Sequence, residues 1–263
     1  MPINYKLAED AKPQVILLMT ATLVSVALWL LSMYMPVVGL IVYPLQLFAT
    51  FVHEGSHVLA TVLTGNTVTS LSVASDGSGV VWSKSSGLSS LLISSAGYLG
   101  TTAFGTLLLV WMRYGFSSRV GLYISAGFVG VMTFVFGFLA PFWNLLANVT
   151  FGSVVFTVLS GVVLTLGLAA VAKFATLKWA NFAMAFLAVQ CLLNAFFSLK
   201  DLFVISTTTD QMTDAGNMAA ATGIPGFIWV FIWIAISVVM ISVGIRLYAV
   251  TRGAKISDSV FND

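Results

Sequence analysis

Two histidines and a glutamate form the part of this sequence best suited to chemistry. His53, Glu54 and His57 follow the order His-Glu-x-x-His, and the chain contains no other histidine. Residues four apart on a helix project from the same face, so both imidazoles can bind one metal ion. The glutamate can then take a proton from a water that the metal activates. The motif therefore predicts a zinc site with hydrolytic chemistry.

The segments on either side of this motif are apolar. Residues 46–52 and 58–60 have the composition of a membrane-embedded helix. Ionisable side chains at such a depth are costly and usually mark a functional site. The alternative is a pair of histidines that are hydrogen-bonded between helices without a metal, and the residues alone leave it open.

The composition of the whole chain is that of an integral membrane protein. Of its 263 residues, 59% are hydrophobic and 8% are charged, whereas soluble domains carry about 25% charged residues. We expect one integral membrane domain over residues 1–263, without a sizeable soluble module. The net charge of +2 is too small to predict a nucleic-acid partner. The single cysteine, Cys191, excludes an internal disulfide and a cysteine-based zinc site.

The hydrophobic segments predict an all-α polytopic fold with about seven transmembrane helices. Each segment is close to the roughly 20 residues that a helix needs to cross a bilayer. The first reads as a retained anchor, because no small-residue cleavage pattern follows it. The His-Glu-x-x-His motif lies in the C-terminal half of the second. The predicted spans cover about residues 15–33, 38–63, 88–112, 120–140, 154–172, 179–199 and 224–250.

A short β-hairpin is predicted over residues 66–83, after the second span. Residues 67–73 are rich in β-branched side chains, Asp76 and Gly77 begin a turn, and residues 80–82 form a second short strand. One edge of this hairpin could pair with an extended peptide beside the metal. An ordinary external loop is the alternative.

A third metal ligand has to be a carboxylate, since a catalytic zinc usually takes three protein ligands. Asp201 is the preferred residue, because it follows an apolar helix whose end can lie on the same side of the membrane as the end of the second span. Its alternative role is that of a solvated acid at a helix end. Asp210 and Asp214 are held in reserve, since they lie in a polar linker over residues 206–223 that includes a helix start.

These features together resemble the site-2 protease class of intramembrane zinc metalloproteases, and most closely its bacterial branch. The resemblance rests on the embedded His-Glu-x-x-His motif, the following β element, and a later helix in which Asn194 precedes Asp201. It covers residues 45–105 well and residues 190–225 more loosely. Better-studied members carry Asn-Pro and Asp-Gly pairs on the later helix, whereas Ala195 and Leu202 follow here.

The resemblance implies a zinc-dependent metalloendopeptidase in a bacterial inner membrane, with a metallopeptidase-like core over about residues 38–205. His53, His57 and Asp201 would hold Zn²⁺, Glu54 would act as the general base, and Asn194 would bind the substrate backbone or the developing oxyanion. Its partners would be the bilayer and a membrane-protein or peptide substrate. Two alternatives remain: a membrane protein that binds metal for structure or transport, and a catalytically silent protein that binds partners.

Overall fold

The computed structural model of the protein describes residues 12–85, 87–146, 148–208 and 213–249. The regular elements among these residues are helices and one two-stranded hairpin. The elements are, in chain order, α1 (Lys12–Ser32), α2 (Pro36–Leu63), β1 (Thr67–Val73), β2 (Gly79–Lys84), α3 (Leu88–Arg113), α4 (Ser118–Val131), a π-helical segment (Met132–Leu139), α5 (Ala140–Trp143), α6 (Phe151–Phe174), α7 (Leu177–Thr208), α8 (Asp214–Thr222) and α9 (Gly226–Ala249).

Seven helical stretches in the described part of the chain are long and apolar enough to cross a membrane. They are α1, α2, α3, the continuous stretch Ser118–Trp143, α6, α7 and Gly226–Tyr248 of α9. This confirms the predicted all-α polytopic fold, with the hairpin between the second and third spans. The protein is therefore an integral membrane protein.

Helix α2 is largely exposed near its N-terminus and enclosed by protein in its C-terminal half. Leu40 is 72% exposed near the start of the helix, whereas Phe51, Val52 and Val58 are fully buried. The second half packs against α3, α7 and the hairpin. The histidine motif therefore lies inside the helical bundle.

The hairpin has one closed edge and one open edge. Its strands are antiparallel, with Val73 opposite Gly79 and an irregularity at Thr69. On the outer edge of β1, Asn144 donates a hydrogen bond to the Thr69 carbonyl (3.1 Å) and the Val73 amide donates to the Thr157 hydroxyl (2.9 Å). No described residue forms a third strand beside β2. The edge that can accept another strand therefore belongs to β2.

The predicted polar linker over residues 206–223 is largely helical in its described part. Helix α7 continues to Thr208, and α8 begins at Asp214. The Thr213 hydroxyl caps α8 by accepting a hydrogen bond from the Gly216 amide (3.1 Å). Gly223 ends α8 with a φ of +73°, a conformation that glycine adopts readily. The helix packs on α3 and α9, so α8 is a docked element before the last long helix.

Candidate metal centre

Three ligand atoms converge where α2 meets the start of α8. His53 Nε2 lies 3.2 Å from His57 Nε2. Asp214 Oδ2 lies 3.8 Å from His53 Nε2 and 3.3 Å from His57 Nε2. The helical repeat brings the two histidines to one face of α2, and α8 brings the carboxylate to that face.

This set of donor atoms fits a zinc ion. Two imidazole nitrogens and one carboxylate oxygen are a known catalytic zinc set, and two ligands at about 2.0–2.2 Å from a tetrahedral ion lie roughly 3.3–3.6 Å apart. The three atoms here all lie within 4.8 Å of one another. Their side chains are 7–20% exposed, so the site is enclosed but reachable.

His57 is oriented by a hydrogen bond on its other ring nitrogen. Its Nδ1 lies 2.7 Å from the Ile93 carbonyl oxygen. Because a carbonyl can only accept, Nδ1 carries a proton, and Nε2 is the nitrogen that can offer a lone pair to a metal once it is deprotonated. Metal-binding histidines in proteins are commonly oriented by such a bond.

Gly97 of α3 lies directly against the two imidazoles. A Cβ atom at this position would collide with the Nε2 atoms of both His53 and His57. The absence of a side chain therefore lets α3 approach the histidines closely, and any larger residue would displace them.

Glu54 is buried beside the cluster and lies against the hairpin. Its side chain is 5% exposed, and the charges of His53, His57 and Asp214 all act on its carboxyl group. A Cβ on Gly79, the first residue of β2, would lie 2.6 Å from Glu54 Oε1. The candidate base is thus held between the ligand atoms and the start of the open strand edge.

Asp214 is held as a charged carboxylate by the histidines. In the metal-free protein burial raises the pKa of Asp214, but the positive charges of protonated His57 and His53 and the hydrogen bonds that both rings then donate outweigh this effect, so the pKa lies well below its ordinary value. An anionic oxygen is the form that binds a divalent cation.

The structure brings Asp214 to the histidines and leaves Asp201 away from them, so the geometry favours Asp214 as the candidate third ligand. Asp201 lies inside α7, is 63% exposed and forms an ion pair with Lys200 (2.9 Å). Leu199 and Leu202 are buried, and the helical repeat turns a residue between them to the opposite face. The predicted sixth span ends at about residue 199, whereas α7 continues to Thr208 and therefore includes Asp201.

The other predicted site residues have separate outcomes. Asp210, the second reserve, lies outside the described residues. Asn194 is half-buried on α7, and its Oδ1 accepts a hydrogen bond from the Ser198 hydroxyl (3.4 Å). No described hydrogen bond joins Asn194 to the ligand cluster, and its role toward a substrate stays a prediction.

In the sequence analysis Asp214 is held in reserve, and neither Gly97 nor Gly79 is placed at the metal centre. Thr213 is a favoured helix-capping residue, so the sequence does indicate that a helix begins at Asp214. The glycines carried no comparable signal, since their importance comes from contacts between elements.

A comparison with protein families gives one match that spans most of the chain. The family described as Peptidase M50B-like matches residues 18–244. This range includes α2, the hairpin and α8. Comparisons with curated proteins and with solved structures gave no significant match.

Proposed function

The chain belongs to the Peptidase M50B-like family, and from this premise we propose that it is an active intramembrane zinc metalloprotease. It would hydrolyse peptide bonds of membrane-protein or peptide substrates within or near the bilayer. The observation that carries the proposal is the convergence of His53, His57 and Asp214 within 4.8 Å, with Glu54 buried beside them.

Each residue of the site has a distinct role in this proposal. His53, His57 and Asp214 hold the metal. When bound, zinc supplies Lewis-acid chemistry, which acidifies water and polarises the scissile carbonyl. Glu54 accepts a proton from the attacking water and delivers it to the leaving amine. The enclosed position of Glu54 keeps bulk water from competing for that proton.

The open edge of β2 is the proposed place for the substrate. A transmembrane helix hides its peptide bonds in its own hydrogen bonds, so the scissile segment has to unwind before cleavage. Pairing with β2 would replace those bonds and hold the segment extended. Gly79 lies against Glu54, so a peptide on this edge would pass beside the candidate base.

The resemblance to the bacterial branch extends the proposal to a bacterial inner membrane.

The test is a comparison of wild type with Glu54→Gln in detergent micelles. The probe is a pool of single-span peptides of about 20 apolar residues, each with a helix-weakening residue at its centre, and cleavage is followed by mass spectrometry. We expect Glu54→Gln to keep the zinc content of wild type and to lose cleavage, because an amide cannot accept the proton.

Two outcomes would contradict the proposal. Equal cleavage by Glu54→Gln and wild type would remove Glu54 from the chemistry. Zinc binding without cleavage of any peptide, together with unchanged cellular function in Glu54→Gln, would instead favour a metal-binding protein without proteolytic activity. Arg119→Gln serves as a control, since Arg119 contacts the Ala175 carbonyl on another part of the bundle.

A further inference from the structure

The two histidine ligands are oriented in different ways. His57 has the Ile93 carbonyl on its Nδ1. For the Nδ1 of His53 no hydrogen bond to a described residue is found. Its ring instead meets the ring of Tyr98, with centroids 4.6 Å apart and planes at 82°. This edge-to-face geometry is the favoured arrangement of two aromatic rings.

Tyr98 is itself fixed by a second aromatic ring. It stacks on Trp233 of α9, with centroids 5.2 Å apart and planes at 18°. Trp233 is 1% exposed, and its indole N–H donates a hydrogen bond to the Ser95 hydroxyl (3.0 Å). A chain of contacts therefore runs from α9 through Tyr98 to the first histidine of the motif.

The contact between Tyr98 and His53 is made by the ring of the tyrosine. The Tyr98 side chain is 8% exposed, and its hydroxyl makes no hydrogen bond to a described residue. The preceding residue, Gly97, has no side chain, so it offers no ring or side-chain hydrogen-bonding group to His53. Phenylalanine at this position would keep the same aromatic surface.

We propose that Tyr98 is a positioning residue that orients the His53 imidazole for metal binding through its aromatic ring, with Trp233 as its support. The Tyr98 ring fixes the orientation of the His53 imidazole, as the Ile93 carbonyl does for His57. The proposal rests on the metal-binding part of the proposed function and is independent of proteolysis. It assigns a role in the metal centre to α9, which carries none of the ligands.

The first test is zinc affinity, measured by competition with a chromogenic chelator. We expect Tyr98→Leu to bind zinc about 10-fold more weakly than wild type, since partners that orient metal ligands contribute 10–100-fold to affinity. Tyr98→Phe should stay within about 2-fold, because it keeps the ring. Trp233→Leu should weaken binding in the same direction as Tyr98→Leu.

Phe104→Leu is the matched control, because Phe104 is another aromatic residue of α3. Its ring contacts the rings of Phe48 and Phe128, with centroids 6.0 and 5.8 Å away, whereas the described ring partners of the histidines are each other and Tyr98. We expect this variant to lose thermal stability and to keep its zinc affinity. If Tyr98→Leu and Phe104→Leu change affinity equally, or if Tyr98→Phe weakens binding as much as Tyr98→Leu, the proposal is wrong.

A second readout uses the metal-free protein. Because the chain has only two histidines, selective isotope labelling gives one set of imidazole NMR signals for His53 and one for His57. Tyr98→Leu should shift the His53 signals and leave the His57 signals nearly unchanged, whereas Tyr98→Phe should shift neither. If the His53 signals do not move in Tyr98→Leu, the proposal is wrong, whether or not the wild type binds zinc. If they shift, the proposal is supported, whether or not any peptide is cleaved.

Discussion

Two aspartates in the later half of the chain differ in how well their surroundings suit a metal ligand. Asp214 lies at the first turn of α8, 3.3 Å from His57 Nε2, and is 20% exposed. Asp201 is 63% exposed and pairs with Lys200. Exposed ion pairs contribute little to stability. Of these two aspartates, Asp214 is the one whose surroundings suit a metal ligand.

The residue-scale prediction compares alanine substitutions of these two aspartates. We expect Asp214→Ala to lose most of the bound zinc, because two neutral imidazoles then lack the anionic ligand that offsets the charge of the ion. Asp201→Ala should keep the zinc content and thermal stability of wild type. The number of zinc ions per chain is measured by inductively coupled plasma mass spectrometry after gel filtration.

Asp214→Asn provides a control of similar volume that removes the charge. It should resemble Asp214→Ala in metal content and keep the capped start of α8. Loss of zinc in Asp201→Ala, with retention in Asp214→Ala, would contradict this assignment of the third ligand.

Within the hairpin, the direction of each backbone group can be read from the register. The Val73 amide points away from β2, toward Thr157. In an antiparallel pair, the facing residue then also points outward, and the direction alternates along the strand. Gly79 faces Val73, and Val81 faces Leu71. The N–H groups of Gly79 and Val81 therefore lie on the open edge, whereas that of Val80 bonds to β1.

The element-scale prediction uses proline to remove one backbone donor at a time. Val81→Pro should reduce cleavage at least 10-fold while the hairpin stays paired, because proline removes an outward donor that a substrate strand would use. Val80→Pro should disrupt the pairing with β1 and lower the melting temperature. Cleavage of the peptide pool and thermal unfolding are measured for each variant.

Val81→Ala distinguishes the effect of losing the valine side chain from the effect of losing the backbone N–H. Val81 packs against the main hydrophobic cluster, so alanine should lower stability slightly and leave cleavage near the wild-type rate. If the Val81→Pro variant cleaves the peptides at the wild-type rate, the substrate does not pair with β2. Substitutions in residues 67–73 are a poorer test, because β1 has both edges occupied.

At the scale of the whole molecule, the metal centre joins parts that are distant in the sequence. His53 and His57 belong to the second span, whereas Asp214 belongs to the short helix before the last span. Around α8, a separate buried cluster of Tyr98, Leu199, Leu202, Ala215, Met218, Val230 and Trp233 packs α8 against α3, α7 and α9. A bound ion would add a direct link between α2 and α8.

The whole-molecule prediction concerns metal removal. A ligand that binds only the folded state stabilises it by about 2.7 kcal/mol at 100 times its Kd. We expect a chelator to lower the melting temperature of wild type by several degrees and to increase hydrogen exchange in α8 more than in α4. Differential scanning fluorimetry and hydrogen exchange with mass spectrometry measure the two effects.

The Asp214→Ala variant is the control for this experiment. Because it should lack the metal, a chelator should leave its melting temperature unchanged. A wild type that responds no more than Asp214→Ala would show that no ion links α2 to α8.

The sequence by itself determined the fold class, the number of spans, the hairpin and the placement of the two histidines on one helix face. Each of these depends on local information: apolar length sets the spans, β-branched residues and a turn set the hairpin, and a four-residue spacing sets the pair on one helix face. The family match over residues 18–244 agrees with this architecture.

Only the tertiary structure decided which carboxylate joins the histidines and what surrounds them. Asp201 and Asp214 are both acids in polar surroundings, and the choice depends on where α7 ends and on which face Asp201 lies. Likewise, Gly97, Gly79 and Tyr98 contact the site from α3 and β2, and their spacing from the motif shows no regular pattern. Such contacts arise from the packing of helices and strands, and a single sequence does not specify that packing residue by residue.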